Sequence, residues 1–158
     1  MKSHRVAILD EESQARYIAD AYERYEQDQE AAFHAPNHSP LLERMENLPR
    51  DPEEALDQFA DYDVVVADQN YTKPFYSGMD LLKEAAGGDY GTDVILYTGD
   101  HGLGEAGLDI EHASELTGHN DNIEYIPKHG ASSGMEELAP AINRALTGTE
   151  QGDQQNVT

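Results

Sequence analysis

The sequence predicts an α/β domain in which a doubly wound, five-stranded parallel sheet lies between two layers of helices. Its clearest apolar runs are continuous rather than alternating, which is typical of strands buried on both faces. Helix-like segments separate these runs, as expected for a parallel sheet whose strands are joined by helical crossovers. With 158 residues, the chain is long enough to bury the core of one such domain.

The predicted strands are four clear apolar runs and one weaker segment. The clear runs are Val6–Leu9, Val64–Ala67, Val94–Tyr97 and Ile123–Ile126. The fifth strand is expected within Leu41–Leu48, where the spacing of apolar residues fits a helix equally well. We predict a short or irregular strand there.

The segments between the strands carry helical periodicity or helix-end signals. Ser13–Ala32 places its apolar residues near one face. Asp51 suits the N-cap position of a helix over residues 52–60, with Pro52 at the first helical position. The remaining predicted helices span residues 77–86, 110–116 and 133–146. Pro140 falls inside the last of these, so we expect a kink or a late start there.

The charge balance is strongly acidic, with 32 Asp and Glu against 10 Lys and Arg and a net charge of -22. Such a surface repels phosphate backbones and anionic lipid, so we expect neither direct nucleic-acid binding nor membrane binding. An acidic disordered chain and a folded surface adapted to high salt both give this composition. Because the acids are spread along the whole chain among periodic apolar residues, we favour the second interpretation and expect a halophilic host, namely a halophilic archaeon.

Composition also bounds the compartment and the domain organisation. The chain has no cysteine, which excludes disulfides and thiolate metal sites. No apolar stretch approaches the length of a membrane span, and the N-terminus lacks the apolar core of a signal peptide. We therefore expect a cytoplasmic protein, with one domain over residues 1–147 and a disordered polar tail over 148–158.

Each clear strand is followed by polar residues of distinct chemistry. Asp10 and Glu11 follow the first strand, Asp68 the second, Thr98 the third and Lys128 the fourth. The carboxyl ends of parallel strands meet at one edge of the sheet, so these residues should converge. Clustered carboxylates repel one another, and a hard cation such as Mg²⁺ relieves that repulsion. A carboxylate beside Mg²⁺ and a lysine can act as a nucleophile towards a phosphoryl group.

This arrangement resembles the receiver domain of two-component response regulators, the CheY-like branch of the flavodoxin-like folds, over about residues 4–147. The acidic pair of that family matches Asp10 and Glu11, and its phosphoacceptor matches Asp68. The resemblance implies that Mg²⁺ binds Glu11, Asp68 and the backbone carbonyl of Asn70, with Asp10 acting through water.

The resemblance also assigns the residues that read the phosphoryl group. Lys128 and Thr98 would contact its oxygens, and Thr98 with Tyr125 would form the switch that relays occupancy. The implied protein is a stand-alone receiver, phosphorylated on Asp68 by a histidine kinase or phosphotransfer protein. It would catalyse only its own phosphorylation and slow dephosphorylation. Its output would pass through contact with an unidentified downstream protein, and a homodimer is compatible with this role.

The chain departs from the receiver pattern at several places, which keeps two alternatives open. The loop over Tyr71–Ser77 is longer than usual and carries Lys73, and the segment 99–122 is also extended. These differences motivate a pseudo-receiver, a protein-binding module that is not controlled by phosphorylation. A Mg²⁺-dependent phosphatase also uses an aspartate at a strand end, but it usually needs a second acid two residues later, where Asn70 stands.

Overall fold

The computed structural model describes residues 4–32, 40–46, 48–68, 71, 75–88, 91–98, 123–127 and 137–147. Its strands are β1 (Arg5–Leu9), β2 (Leu41–Arg44), β3 (Val64–Ala67), β4 (Asp93–Thr98) and β5 (Ile123–Pro127). Its helices are α1 (Glu12–Ala32), α2 (Pro52–Gln58), α3 (Gly78–Gly87) and a further helical segment, α4, over residues 137–147.

The strands form one parallel sheet in the order β2-β1-β3-β4-β5. The chain leaves β1 towards β2 on one side and then returns to place β3 on the other side of β1. Parallel sheets of this order open a crevice between β1 and β3, outside the carboxyl ends of the strands, where ligands bind. The predicted fold class, a doubly wound five-stranded α/β/α domain, is confirmed.

Successive side chains of the strands pack into two separate hydrophobic clusters. On one face, Leu9, Val65 and Leu96 lie among the buried residues of α2 and α3. On the other face, Ile8 and Val66 lie among those of α1 and α4. Both faces of β3 are therefore covered, and all four of its residues are buried. This two-sided burial explains why the run of β-branched residues is continuous rather than alternating.

Local signals fix the beginnings of α2 and α3. The Asp51 side chain accepts a hydrogen bond from the Glu53 N–H at 3.0 Å, and Pro52 opens α2 as predicted. The Ser77 hydroxyl accepts from the Asp80 N–H at 3.1 Å, while the Asp80 carboxylate accepts from the Ser77 N–H at 2.9 Å. This reciprocal capping box satisfies two donors at the start of α3. The start of α3 is thereby fixed beside the carboxyl edge of the sheet.

Several predictions fall wholly or partly outside the described residues. The helix expected over 110–116, the start of α4 and the tail 148–158 belong to this group. Residues 137–139 are already helical, so the expectation of a late start at Pro140 was wrong, while the alternative expectation of a kink there stays a prediction. The weak fifth strand is confirmed as β2, which pairs with β1 from Leu41 to Arg44. Over the described ranges, no helix has both the length and the apolar character that a membrane crossing requires.

Candidate functional site at the carboxyl edge of the sheet

The ends of β1 and β3 bring Asp10 and Asp68 side by side. Leu9 pairs with Ala67 in the parallel register, and each strand then ends in its aspartate. The Asp68 N–H donates to the Leu9 carbonyl at 3.0 Å, which extends the β1–β3 hydrogen bonding as far as Asp68. Asp10 is only 5% exposed, whereas Asp68 is half-buried. The more accessible carboxylate of the two is therefore the predicted phosphoacceptor.

Backbone contacts hold Asp10 and start α1 directly after it. The Asp10 Oδ1 accepts the Glu11 N–H at 2.8 Å, and the Ala15 N–H donates to the Glu11 carbonyl at 2.8 Å. Glu11 is exposed, so its role as a metal ligand stays a prediction. Glu12 is also exposed and pairs with Arg16 at 3.2 Å across one turn of α1. Glu12 therefore lies on the solvent-exposed surface of the first turn of α1.

Tyr97 lies under the same edge, and sequence reasoning treated it only as part of an apolar strand. It is 4% exposed on the α1 side of the sheet. Burial, with smaller contributions from Tyr17 and the charge of Asp10, raises the pKa of Tyr97 to about 12. The hydroxyl therefore keeps its proton at neutral pH. In the sheet, β3, which Asp68 directly follows, lies between β1 and β4.

Gly78 allows α3 to begin directly against Asp68. A Cβ on Gly78 would lie 2.8 Å from the Asp68 carbonyl oxygen and 2.5 Å from the Leu96 Cδ1. Both distances are shorter than real Cβ atoms tolerate. The first residue of the helix must therefore lack a side chain if α3 is to approach β3 this closely. The glycine at this position thus has a local steric cause.

Two residues at the end of β2 join β1 to the loop after Asp68. The Arg44 Nε donates to the Asp10 carbonyl at 3.0 Å, and its guanidinium lies 5.7 Å from the centroid of the Tyr71 ring. The next residue, Met45, donates its N–H to the Ile8 carbonyl at 3.0 Å and accepts the Tyr71 hydroxyl at 2.8 Å through its own carbonyl. None of these contacts was anticipated, because they join residues far apart in the sequence.

The other predicted site residues are only partly described. Thr98 is the last residue of β4 and pairs with Pro127 of β5, so its backbone lies at the same edge. Lys128 directly follows Pro127 but, like Asn70, it lies outside the described residues. Tyr125 is half-buried and packs against the α2–α3 cluster. The structure therefore brings together Asp10, Asp68 and the end of β4, while the roles of Lys128, Asn70 and Tyr125 stay predictions.

The oxygen donors at this edge suit a hard cation that needs only one or two protein ligands. Across the described ranges, no three His, Cys, Asp or Glu side chains are grouped closely enough to enclose a metal ion. Mg²⁺ does not need such a cage, because it usually keeps several waters and binds one or two carboxylates. Two neighbouring carboxylates, one buried and one half-buried, meet that requirement, so the described residues fit Mg²⁺.

No family model matches the chain, and no curated protein matches it. Several solved structures, in contrast, are similar to it. A signal receiver domain from Vibrio parahaemolyticus aligns with a TM-score of 0.57 and 16% identity over 97% of both chains. A Francisella response regulator receiver domain aligns with a TM-score of 0.54 and 21% identity, over 94% of this chain and 99% of that one.

A third similar structure has a different described role. It is presented as one of a family of redox sensors in the streptococci that evolved from two-component response regulators. It aligns with a TM-score of 0.50 and 18% identity, over 97% of this chain and 55% of its own. At these identities the likeness concerns architecture. Together with the strand order and the position of Asp10 and Asp68, it shows that this chain has the fold of response regulator receiver domains.

Proposed function

We propose that this protein is a receiver that accepts a phosphoryl group on Asp68 in a Mg²⁺-dependent reaction. The observation that carries the proposal is the position of Asp10 and Asp68 directly after the paired residues Leu9 and Ala67 of β1 and β3, with the Asp68 N–H bonded to the Leu9 carbonyl. The half-buried Asp68 is accessible to a donor, whereas Asp10 is enclosed. The donor would be a histidine kinase or a phosphotransfer protein.

The proposed step forms one bond and breaks one bond. An Asp68 carboxylate oxygen attacks the phosphorus of a phosphohistidine, and the phosphorus–nitrogen bond breaks. The departing histidine nitrogen retains the bonding electron pair, and a proton taken up from solvent water by the imidazole ring lets the histidine leave as neutral imidazole. Bound Mg²⁺ would neutralise charge on the transferring oxygens. Asp10, Asp68 and Glu11, with the Asn70 carbonyl, are the residues proposed to hold it.

Two further side chains are proposed to stabilise the negative charge of the phosphoryl oxygens. Lys128 would supply a positive charge to its oxygens, and the Thr98 hydroxyl would donate a hydrogen bond. Movement of Thr98 would then bias the position of Tyr125, which packs against the α2–α3 cluster. This is a shift between two populations rather than a new fold. The shifted surface would be read by a downstream protein.

Intact-mass measurement tests the proposal directly. The protein is incubated at high salt with Mg²⁺ and phosphoramidate, and the wild type should gain the mass of one phosphoryl group. Asp68→Asn should gain none. Asp57→Asn, which removes an exposed carboxylate on α2, should behave as the wild type. Failure of the wild type to form an adduct, together with no Mg²⁺ binding by calorimetry, would remove the basis for the proposal.

A second candidate function is that of a pseudo-receiver, which binds a protein without phosphorylation. Two observations support it. The Glu11 side chain is exposed, and within the described part of the chain it does not form a group of three carboxylates with Asp10 and Asp68. In addition, one structure of the same fold is described as a redox sensor. This chain has no cysteine, so thiol redox chemistry is not available to it. Repeated turnover of a phosphomonoester would instead indicate a phosphatase.

A further inference from the structure

Arg44 and Tyr71 connect the two segments that carry the proposed site, although β2 itself supplies no ligand. Arg44 donates from Nε to the Asp10 carbonyl at 3.0 Å, and its guanidinium also lies 5.7 Å from the Tyr71 ring centroid. Tyr71 stands three positions after Asp68 in the sequence. Its hydroxyl donates to the Met45 carbonyl at 2.8 Å. The end of β2 therefore contacts the site on both sides.

The chemistry of Arg44 explains why one side chain can do this. A guanidinium is planar, so its edge can donate hydrogen bonds while its face stacks on an aromatic ring. Here Nε donates to the Asp10 carbonyl, Nη1 donates to the Glu46 carboxylate at 2.6 Å, and the guanidinium carbon lies 5.7 Å from the centroid of the Tyr71 ring. Only 26% of the side chain is exposed. A lysine could retain the charge but not this combination of contacts.

Backbone groups of Met45, the residue after Arg44, also bond to both β1 and Tyr71. Met45 donates its N–H to the Ile8 carbonyl at 3.0 Å, which continues the β1–β2 pairing beyond Arg44. The same residue accepts the Tyr71 hydroxyl. Tyr71 also packs against the α2–α3 cluster. A fixed strand end thus holds both the backbone of Asp10 and the first described residue of the loop after Asp68.

We propose that Arg44 and Tyr71, the Arg44–Tyr71 clasp, are positioning residues for the Mg²⁺ and phosphoryl site. They hold the Asp10 backbone and Tyr71, three positions after Asp68, in one arrangement before any ion binds. The inference rests on the proposed receiver function and extends it to residues that touch neither ion nor phosphoryl group. Residues that orient ligands in this way commonly change metal affinity by about tenfold or more when they are removed.

Four variants and a matched control test the clasp. Tyr71→Phe keeps the ring and removes only the hydroxyl bond, whereas Arg44→Met removes both the bond to the Asp10 carbonyl and the cation beside the Tyr71 ring. The double variant measures their coupling. Arg144→Gln is the control, because it removes one positive charge from an exposed ion pair with Glu124 at 2.7 Å. A further variant, Arg44→Lys, asks whether charge alone is sufficient.

Two readouts separate positioning from general stability. Hydrogen exchange without Mg²⁺ should be faster for peptides covering residues 8–11 and 68–77 in Arg44→Met and Tyr71→Phe, but unchanged over β4. Calorimetric titration with MgCl₂ should show binding weaker by about tenfold in Arg44→Met and by about threefold in Tyr71→Phe. Arg44→Lys should resemble Arg44→Met, and Arg144→Gln should stay within about twofold of the wild type. The double variant should lose less than the product of the single effects.

The outcomes distinguish the clasp from the function on which it rests. If the wild type is phosphorylated on Asp68 but Arg44→Met and Tyr71→Phe match Arg144→Gln in both readouts, the clasp inference is wrong and the receiver function stands. If the wild type neither binds Mg²⁺ nor forms an adduct, the receiver function is wrong, and the inference fails with it. Faster exchange over 68–77 combined with weaker Mg²⁺ binding supports the clasp.

Discussion

Replacing Gly78 by alanine should destabilise the protein and disturb the site, although alanine is the better helix former. The new Cβ would lie 2.5 Å from the Leu96 Cδ1 and 2.8 Å from the Asp68 carbonyl oxygen. Favourable carbon–carbon contacts lie at about 3.5–4.0 Å, so Leu96 would have to move by about 1 Å. Leu96 is fully buried, and close packing leaves it little room.

The second contact is with backbone and is harder to relieve. The Asp68 N–H is bonded to the Leu9 carbonyl at 3.0 Å, so moving the Asp68 carbonyl strains the end of β3. Overpacking of this kind costs about 1–3 kcal/mol. Alanine also restricts the unfolded chain more than glycine does, which favours the folded state by about 0.4–1 kcal/mol. The centres of these two ranges differ by about 1.3 kcal/mol, so we expect Gly78→Ala to lower the free energy of unfolding by about 1 kcal/mol.

Gly87 provides the matched control within the same helix. A Cβ at Gly87 meets no atom within 4 Å, so Gly87→Ala should be neutral or should stabilise by up to about 1 kcal/mol. Urea unfolding at high salt, followed by circular dichroism, gives both values as shifts of the midpoint at constant slope. Gly78→Ala should also form less phosphoryl adduct than Gly87→Ala. A midpoint for Gly78→Ala at or above that of the wild type would refute the steric argument.

Two further predictions concern charge. Burial and the neighbouring Asp63 charge raise the pKa of Asp93 to about 7 from 3.8, so the folded protein holds this proton more tightly, and stability is lost as pH rises through about 7. Asp93→Asn should therefore be more stable than the wild type at pH 8, by about 1–2 kcal/mol after solvent screening. Urea unfolding should show that this gain in the free energy of unfolding vanishes below pH 4. An equal gain at both pH values would contradict the prediction. Because the net charge is -22, the thermal midpoint should rise steeply between low and molar NaCl, and a midpoint independent of salt would count against an acidic surface adapted to salt.

Much of the fold follows from local patterns. The run Val64–Ala67 coincides with β3 because its β-branched residues suit a strand covered on both faces. Asp51 and Pro52 predicted the start of α2 because a cap and a first-turn proline act within one turn. Residues 41–48 were ambiguous from sequence, since their apolar spacing also fits a helix. Pairing with β1 decides the outcome, and that pairing is a contact between distant parts of the chain.

The candidate site was predictable to the extent that it depends on strand ends. Asp10 and Asp68 could be named because each follows a buried run, and parallel strands end at one edge. The Arg44–Tyr71 clasp could not be named, since its contacts depend on how β2 meets β1 and on where Tyr71 lies relative to Met45. Tyr97 was hidden for another reason. The raised pKa of its hydroxyl results mainly from burial, and a run of apolar residues in the sequence does not reveal it.

The most direct test of the account is the mass of the intact protein after incubation with Mg²⁺ and phosphoramidate at high salt. The account predicts one phosphoryl adduct on the wild type and on Asp57→Asn, its loss when Mg²⁺ is chelated beforehand, and none on Asp68→Asn. Peptide mapping should place the adduct on Asp68. An adduct that persists in Asp68→Asn, or a wild type that never forms one while binding no Mg²⁺, would contradict the central claim.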